Sequence, residues 1–123
     1  MISKNKYKIL VTGGAGMIGS NLVKKLIHNN YEVFVADNLW RGKKEYLLSD
    51  NKSMVIPAKN FYEVDLRDYK NCLKVTNQMD IVIHLAAVVA GINDVFSNES
   101  SLSRSTILIN TNTLNACIAN KVK

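Results

Sequence analysis

The residues Gly13-Gly14-Ala15-Gly16-Met17-Ile18-Gly19 have the composition and spacing to hold a phosphate anion on backbone groups. Two overlapping patterns run through them, Gly14-x-Gly16-x-x-Gly19 and Gly13-x-x-Gly16-x-x-Gly19. One glycine permits a sharp turn out of a strand, one admits a pyrophosphate against bare backbone, and Gly19 lets a following helix lie close to a sheet. The N–H groups of Gly16, Met17 and Ile18 then open a helix and point at the phosphates, aided by the helix dipole. A purely structural turn is the alternative, and context separates the two, because this loop lies between a predicted strand and a predicted helix. The Gly-Lys-Ser/Thr ending of nucleotide hydrolases is absent, since Ser20-Asn21 follow Gly19.

Carboxylates stand at the two other places where such a site needs them. Asp37 closes a second apolar strand near the ~20-residue offset at which an acid takes the ribose hydroxyls of a dinucleotide. Its charge repels the extra phosphate of NADP, so NAD is the expected cofactor and NADP the lesser one. Arg41, Lys43 and Lys44 follow and can soften that preference, though a solvated loop is their simpler reading. Asp65 ends a third strand at the carboxyl edge where open parallel sheets bind ligands; its alternative role is a turn or cap ahead of Arg67-Asp68. His28 and His84 have no metal-ligand or nucleophile spacing around them and read as structural. Cys72 and Cys117 are far apart and read as reduced thiols. No catalytic residue and no metal set is assigned.

These residues need a scaffold, and the hydrophobic pattern supplies one. Strands are predicted at 8–12, 32–36 (closing on Asp37), 60–64 and 80–85, and helices at 16–29, from Asp68 through Val75, and from Ser101 or Ser105 to Asn120. A short helix is expected at 44–48. The first helix has Ile18, Leu22, Val23, Leu26 and Ile27 as its apolar face and Asn29-Asn30 as its C-cap. Strands alternating with helices define an α/β chain with a parallel sheet. The expected fold is a Rossmann-type sheet of four strands in the order 3-2-1-4, with flanking helices and no fifth strand. Residues 1–123 read as one incomplete NAD(P)-binding domain without a substrate domain.

Composition sets the outer bounds. A hydrophobic fraction of 47% and a charged fraction of 21% are those of a globular chain rather than a disordered one. The longest apolar run, 81–92, contains His84 and is well short of the ~20 residues of a membrane span. No leader peptide is read in the first residues, so a cytoplasmic protein without membrane attachment is expected. The net charge of +6 comes from scattered lysines with no RNA- or DNA-binding signature, so no nucleic-acid partner is assigned.

Four segments in order, Thr12 to Ser20 (TGGAGMIGS), Asp37 to Gly42 (DNLWRG), Asp65 to Asp68 (DLRD) and His84 to Ala87 (HLAA), resemble the extended short-chain dehydrogenase/reductases. These are the NAD-dependent epimerases and dehydratases of nucleotide sugars, and the resemblance runs from Ile9 to Lys123. It implies that Gly13, Gly16, Met17 and Ile18 cradle the pyrophosphate, with Gly19 behind them. Asp37, Asn38 and Leu39 would hold the adenosine ribose, Asp65 and Leu66 would flank the adenine, and Leu85, Ala86 and Ala87 would pass under the phosphate-ribose stretch. Residues 88–92 resemble the branch of GDP-mannose epimerases and GDP-fucose synthases, which puts Gly91 and Asn93 on the side of a nucleotide-sugar substrate. The last helix aligns so that Thr106 stands where the family commonly has asparagine.

The family's acid/base pair, a tyrosine with a lysine four residues on, has no counterpart among Tyr7, Tyr31, Tyr46, Tyr62 and Tyr69. The expectation is therefore an NAD-binding portion that does not turn over substrate alone. Two alternatives are a regulatory NAD-binding module, or half of a split enzyme, that self-associates or pairs through an open sheet edge.

Overall fold

The computed structural model describes residues 7–87 and 92–123, with 92–100 and 102 described by backbone alone. Strands β1 (Lys8–Thr12), β2 (Glu32–Asp37), β3 (Phe61–Glu63) and β4 (Ile81–His84) alternate with helices α1 (Met17–His28), α2 (Tyr69–Thr76) and α3 (Ile92–Ala119). Short 3-10 turns occupy Lys44–Leu47 and Ala58–Asn60. The strands are all parallel in the order β3-β2-β1-β4, as the pattern predicts.

Side chains alternate across a strand, so a central strand must satisfy two faces at once. Ile9 and Val11 of β1 and Val33 and Val35 of β2 pack with Val23 of α1 in one core, on which Leu22, Leu26 and Ile27 lean. Leu10 and Ala36 point the other way and pack with Cys72 and Val75 of α2 and Ile109 and Ala116 of α3. Leu10 is wholly buried, and its loss to alanine would cost ~2–5 kcal/mol.

Polar groups fix the elements that packing alone would leave free to slide. Asp68 caps α2 by accepting the amide of Lys70, in the N-cap role read from the sequence. Asn120 Nδ2 donates to the Leu73 carbonyl and to Thr76 Oγ1, tying the end of α3 to α2. At the far edge Asp80 Oδ2 accepts the amide of Lys8, setting the register of β4 against β1.

Two expectations are corrected. The last helix begins at Ile92, not at Ser101 or Ser105. Residues 97–105 are rich in serine, which lowers helix propensity and mimics a loop, while the apolar period becomes visible only from Ile107. Ile18 does not belong to the apolar face of α1; it is 77% exposed, and Gly19, Ser20 and Val23 are buried instead. In the first turn of α1 Met17 and Ile18 stand exposed, while Gly19 and Ser20 face inward.

Candidate functional site

β1 lies between β2 and β4, so the chain leaves its carboxyl end toward one neighbour and later returns to the other. That reversal opens a crevice, the usual ligand position in open α/β sheets. The loop after β1 forms its floor. Gly13 has φ +71° and donates its amide to the Ala36 carbonyl at 2.8 Å. A Cβ there would lie 2.9 Å from the amide nitrogen of Ala86, so only glycine permits the turn and the close approach together. A Cβ on Gly19 would collide with the Gly13 carbonyl oxygen, so this position holds α1 against the loop. Gly16 opens α1 without any side-chain cap, and the first turn carries no acidic residue. The Gly16 amide donates to the Gly13 carbonyl at 3.1 Å, so it is not the free donor that the sequence suggests; the amides after it have no intrahelical acceptor and remain available to an anion.

Asp37 is 8% exposed and is held from two sides. Oδ2 accepts the Ala15 amide at 3.0 Å and Oδ1 accepts the Leu39 amide at 2.8 Å. Each carboxylate oxygen can accept a further hydrogen bond, so the acid is aimed by backbone and still has capacity for a hydroxyl. Leu39 adopts φ 60°, and its side chain leans on the α1-side core.

On the other side of β1 the β4 turn is fastened by Thr12. Its buried hydroxyl oxygen accepts the amides of Leu85 at 3.0 Å and Ala86 at 3.2 Å. At the β3 end Asp65 receives the backbone amide, Nε and Nη2 of Arg67, the last at 2.7 Å. The Arg67 side-chain hydrogen bonds hold the Asp65 carboxyl below its ordinary range. Cys72 Sγ donates to the Leu66 carbonyl, and burial pushes its thiol pKa up.

These pieces enclose an open cleft of about 150 Å³. Of the residues that the family resemblance assigns to the cofactor, Gly13, Gly16, Asp37, Asn38, Asp65, Leu66, Leu85, Ala86 and Ala87 line it. Met17, Ile18, Gly19 and Leu39 do not line it; the first two stand exposed at its rim, and the last two brace it from behind. Gly91 lies outside the described residues, as does the side chain of Asn93. Sequence reasoning missed Trp40 and favoured a solvated loop for Arg41; both line the cleft, with the guanidinium 5.0 Å from the indole centroid. It also missed Asn110, whose Oδ1 lies 2.8 Å from His84 Nε2. Among the described residues no group of three or more His, Cys, Asp or Glu could hold a metal ion. No helix of the described residues is long and apolar enough to cross a membrane.

A glycine turn, an uncapped helix start and a braced carboxylate at a sheet reversal are features of the Rossmann class of fold. The family model of the NAD-dependent epimerases and dehydratases matches residues 9–123, and the chain belongs to that family. GDP-mannose 3,5-epimerase 1 of Oryza sativa subsp. indica is 36% identical over 96% of this chain and 29% of that relative. A putative UDP-glucose 4-epimerase of Methanocaldococcus jannaschii is 43% identical over 71% of this chain and 26% of its own length. UDP-glucose 4-epimerase of Thermus thermophilus, solved in complex with NAD, superposes with a TM-score of 0.76 at 34% identity, covering 94% of this chain and 35% of that one. The chain thus spans about a third of the length of the relatives it matches.

Proposed function

We propose that this chain binds NAD and forms the cofactor-holding portion of a nucleotide-sugar epimerase or dehydratase. One observation carries the reading: the four motif segments, far apart in sequence, converge on a single cleft at the carboxyl ends of β1, β2, β3 and β4. The fit to NAD rests on the bare backbone of Gly13 and Gly16, the uncapped start of α1 and the braced Asp37 carboxylate.

In this reading the amides of Met17 and Ile18 hold the pyrophosphate, while the Gly16 amide closes the turn onto the Gly13 carbonyl and Gly19 keeps α1 close to the loop. Asp37 accepts ribose hydroxyls, assisted by Asn38 and by the Leu39 turn. Asp65 and Leu66 form one wall for the adenine. Leu85, Ala86 and Ala87 support the ribose-phosphate stretch, and Gly91 and Asn93 lie toward the sugar substrate. The chemistry NAD supplies when bound is reversible acceptance of a hydride. Asp37 favours NAD over NADP by charge repulsion.

Residues 1–123 contain no tyrosine followed four residues later by lysine, so the chain alone binds cofactor without turnover. Positioned proton transfer accounts for roughly 10²–10⁴-fold of such rates. The substrate proposed for the working enzyme is a nucleotide sugar, and Cys72 and Cys117, both free thiols, suit a reducing cytoplasm. A second reading, a module completed by another strand, is favoured by β4, which among the described residues pairs only with β1. Titrating the chain with NAD tests the first reading: saturable one-site binding supports it, and no binding at millimolar NAD removes it.

A further inference from the structure

Thr12 Oγ1 is wholly buried and has three polar neighbours: the amides of Leu85 and Ala86, and Nδ1 of His84 at 2.7 Å. A hydroxyl has one proton to give and two lone pairs to receive. Amides only donate, so the Ala86 amide and the Leu85 amide, the latter shared with the Thr12 carbonyl at 3.1 Å, face the two lone pairs, and the hydroxyl proton goes to His84 Nδ1. An accepting Nδ1 carries no proton, so the neutral ring carries its proton on Nε2. That Nε2–H meets Asn110 Oδ1 on α3 at 2.8 Å. Donation therefore runs one way, from the two amides to Thr12, from Thr12 to His84, and from His84 to Asn110.

We infer that His84 is a positioning residue of the cofactor cleft: neutral and protonated on Nε2, it takes the Thr12 proton and so turns both hydroxyl lone pairs toward Leu85 and Ala86. The consequence reaches the phosphate loop, because Gly13 lies directly against the Ala86 amide. His84 itself does not line the cleft. An imidazole with Nδ1–H, or an imidazolium, would offer Thr12 a third donor, and the hydroxyl could then keep no more than one of the two turn amides. The role in cofactor affinity rests on the NAD reading above; the direction of the bonds does not.

Two substitutions separate the halves of the ring. His84→Asn places an amide oxygen where Nδ1 accepts, whereas His84→Gln places its amide near Nε2 and leaves Thr12 without an acceptor. The test combines ¹⁵N imidazole spectra of the unmodified chain near neutral pH, amide exchange at Leu85 and Ala86, and NAD titration of both variants. The expected results are an Nε2-protonated neutral ring, NAD affinity within about threefold of wild type for His84→Asn, and a loss of about tenfold for His84→Gln. Exchange at Ala86 should quicken in His84→Gln and not in His84→Asn, while Leu85, also bonded to the Thr12 carbonyl, should change less. An Nδ1–H or imidazolium signature overturns the inference, as do two variants that weaken equally or not at all. Should the unmodified chain bind no NAD, the proposed function fails, and the ring spectra and amide exchange still decide the role of His84.

Discussion

The Ala15 amide donates to Asp37 Oδ2 at 3.0 Å, so the acid that ends β2 braces the loop that follows β1. With Oδ1 held by the Leu39 amide, both carboxylate oxygens face backbone donors. Asp37→Asn replaces one of those oxygens with an NH₂ group that confronts an N–H. An unsatisfied buried donor costs ~1–3 kcal/mol. The variant should lower the unfolding free energy measured in urea by that amount and weaken NAD binding at least about tenfold. Unchanged stability would show that the brace is not energetically significant.

Gly16 and Gly19 should respond differently to the same methyl group. At Gly16 an added Cβ meets nothing nearer than the Gly13 carbonyl oxygen at 3.3 Å, and the backbone has an ordinary φ of −79°. Gly16→Ala should keep the folding free energy within about 1 kcal/mol, because small adjustments absorb such a contact. Its methyl enters the anion path, so NAD affinity should fall about tenfold or more. Gly19→Ala collides with the Gly13 carbonyl, and overpacking of this kind costs ~1–3 kcal/mol, so it should unfold earlier in urea. Equal behaviour of the two variants would contradict these assigned roles.

The thiols offer a check on the α2–α3 contact. Cys72 is buried, and desolvation raises its pKa; Cys117 is raised by burial as well but is only half-buried. The thiolate is the reactive form. Iodoacetamide should therefore modify Cys117 before Cys72 in the folded chain, and both at the same rate in denaturant. Rapid labelling of Cys72 under native conditions would mean that α3 opens freely from α2.

Asp65 gives a pH prediction with a definite sign. The Arg67 side-chain hydrogen bonds lower its folded pKa below the ordinary value of 3.8. The stabilisation is thus fully present above that ordinary value and is lost as pH falls through the lowered folded pKa. Both partners are substantially solvent-exposed, so screening limits the pair to ~0–1 kcal/mol. Arg67→Ala should return the Asp65 pKa toward 3.8 by NMR titration while moving neutral-pH stability by less than about 1 kcal/mol. An unmoved Asp65 pKa would show that the ion pair does not form in solution.

The sheet order was legible because β1 and β2 are buried on both faces, and near-continuous apolar runs such as Ile9-Leu10-Val11 admit few other structures. The glycines of the loop and Asp37 were legible because backbone approach and charge restrict those positions to particular residue types. The start of α3 was not, since a helix without an apolar period at 97–105 looks like loop in sequence. Ile18 was misplaced because helical periodicity alone does not reveal which residues of the first turn are covered. Asn110 gives no sequence signal among neighbouring asparagines, and the family resemblance draws attention to Thr106 instead. His84 reads as a structural strand residue; only the full hydroxyl valence of Thr12 defines its tautomer.

The most direct test of the account is a titration of the chain with NAD, followed through Trp40, its single tryptophan, which lines the cleft and is 53% exposed. The account predicts a saturable fluorescence change with one-site behaviour, reversed by competing ADP-ribose, weaker with NADP, and strongly reduced in a Gly16→Ala chain that remains folded. A flat titration, or one that Gly16→Ala leaves unaltered, would contradict the assignment of this cleft to NAD.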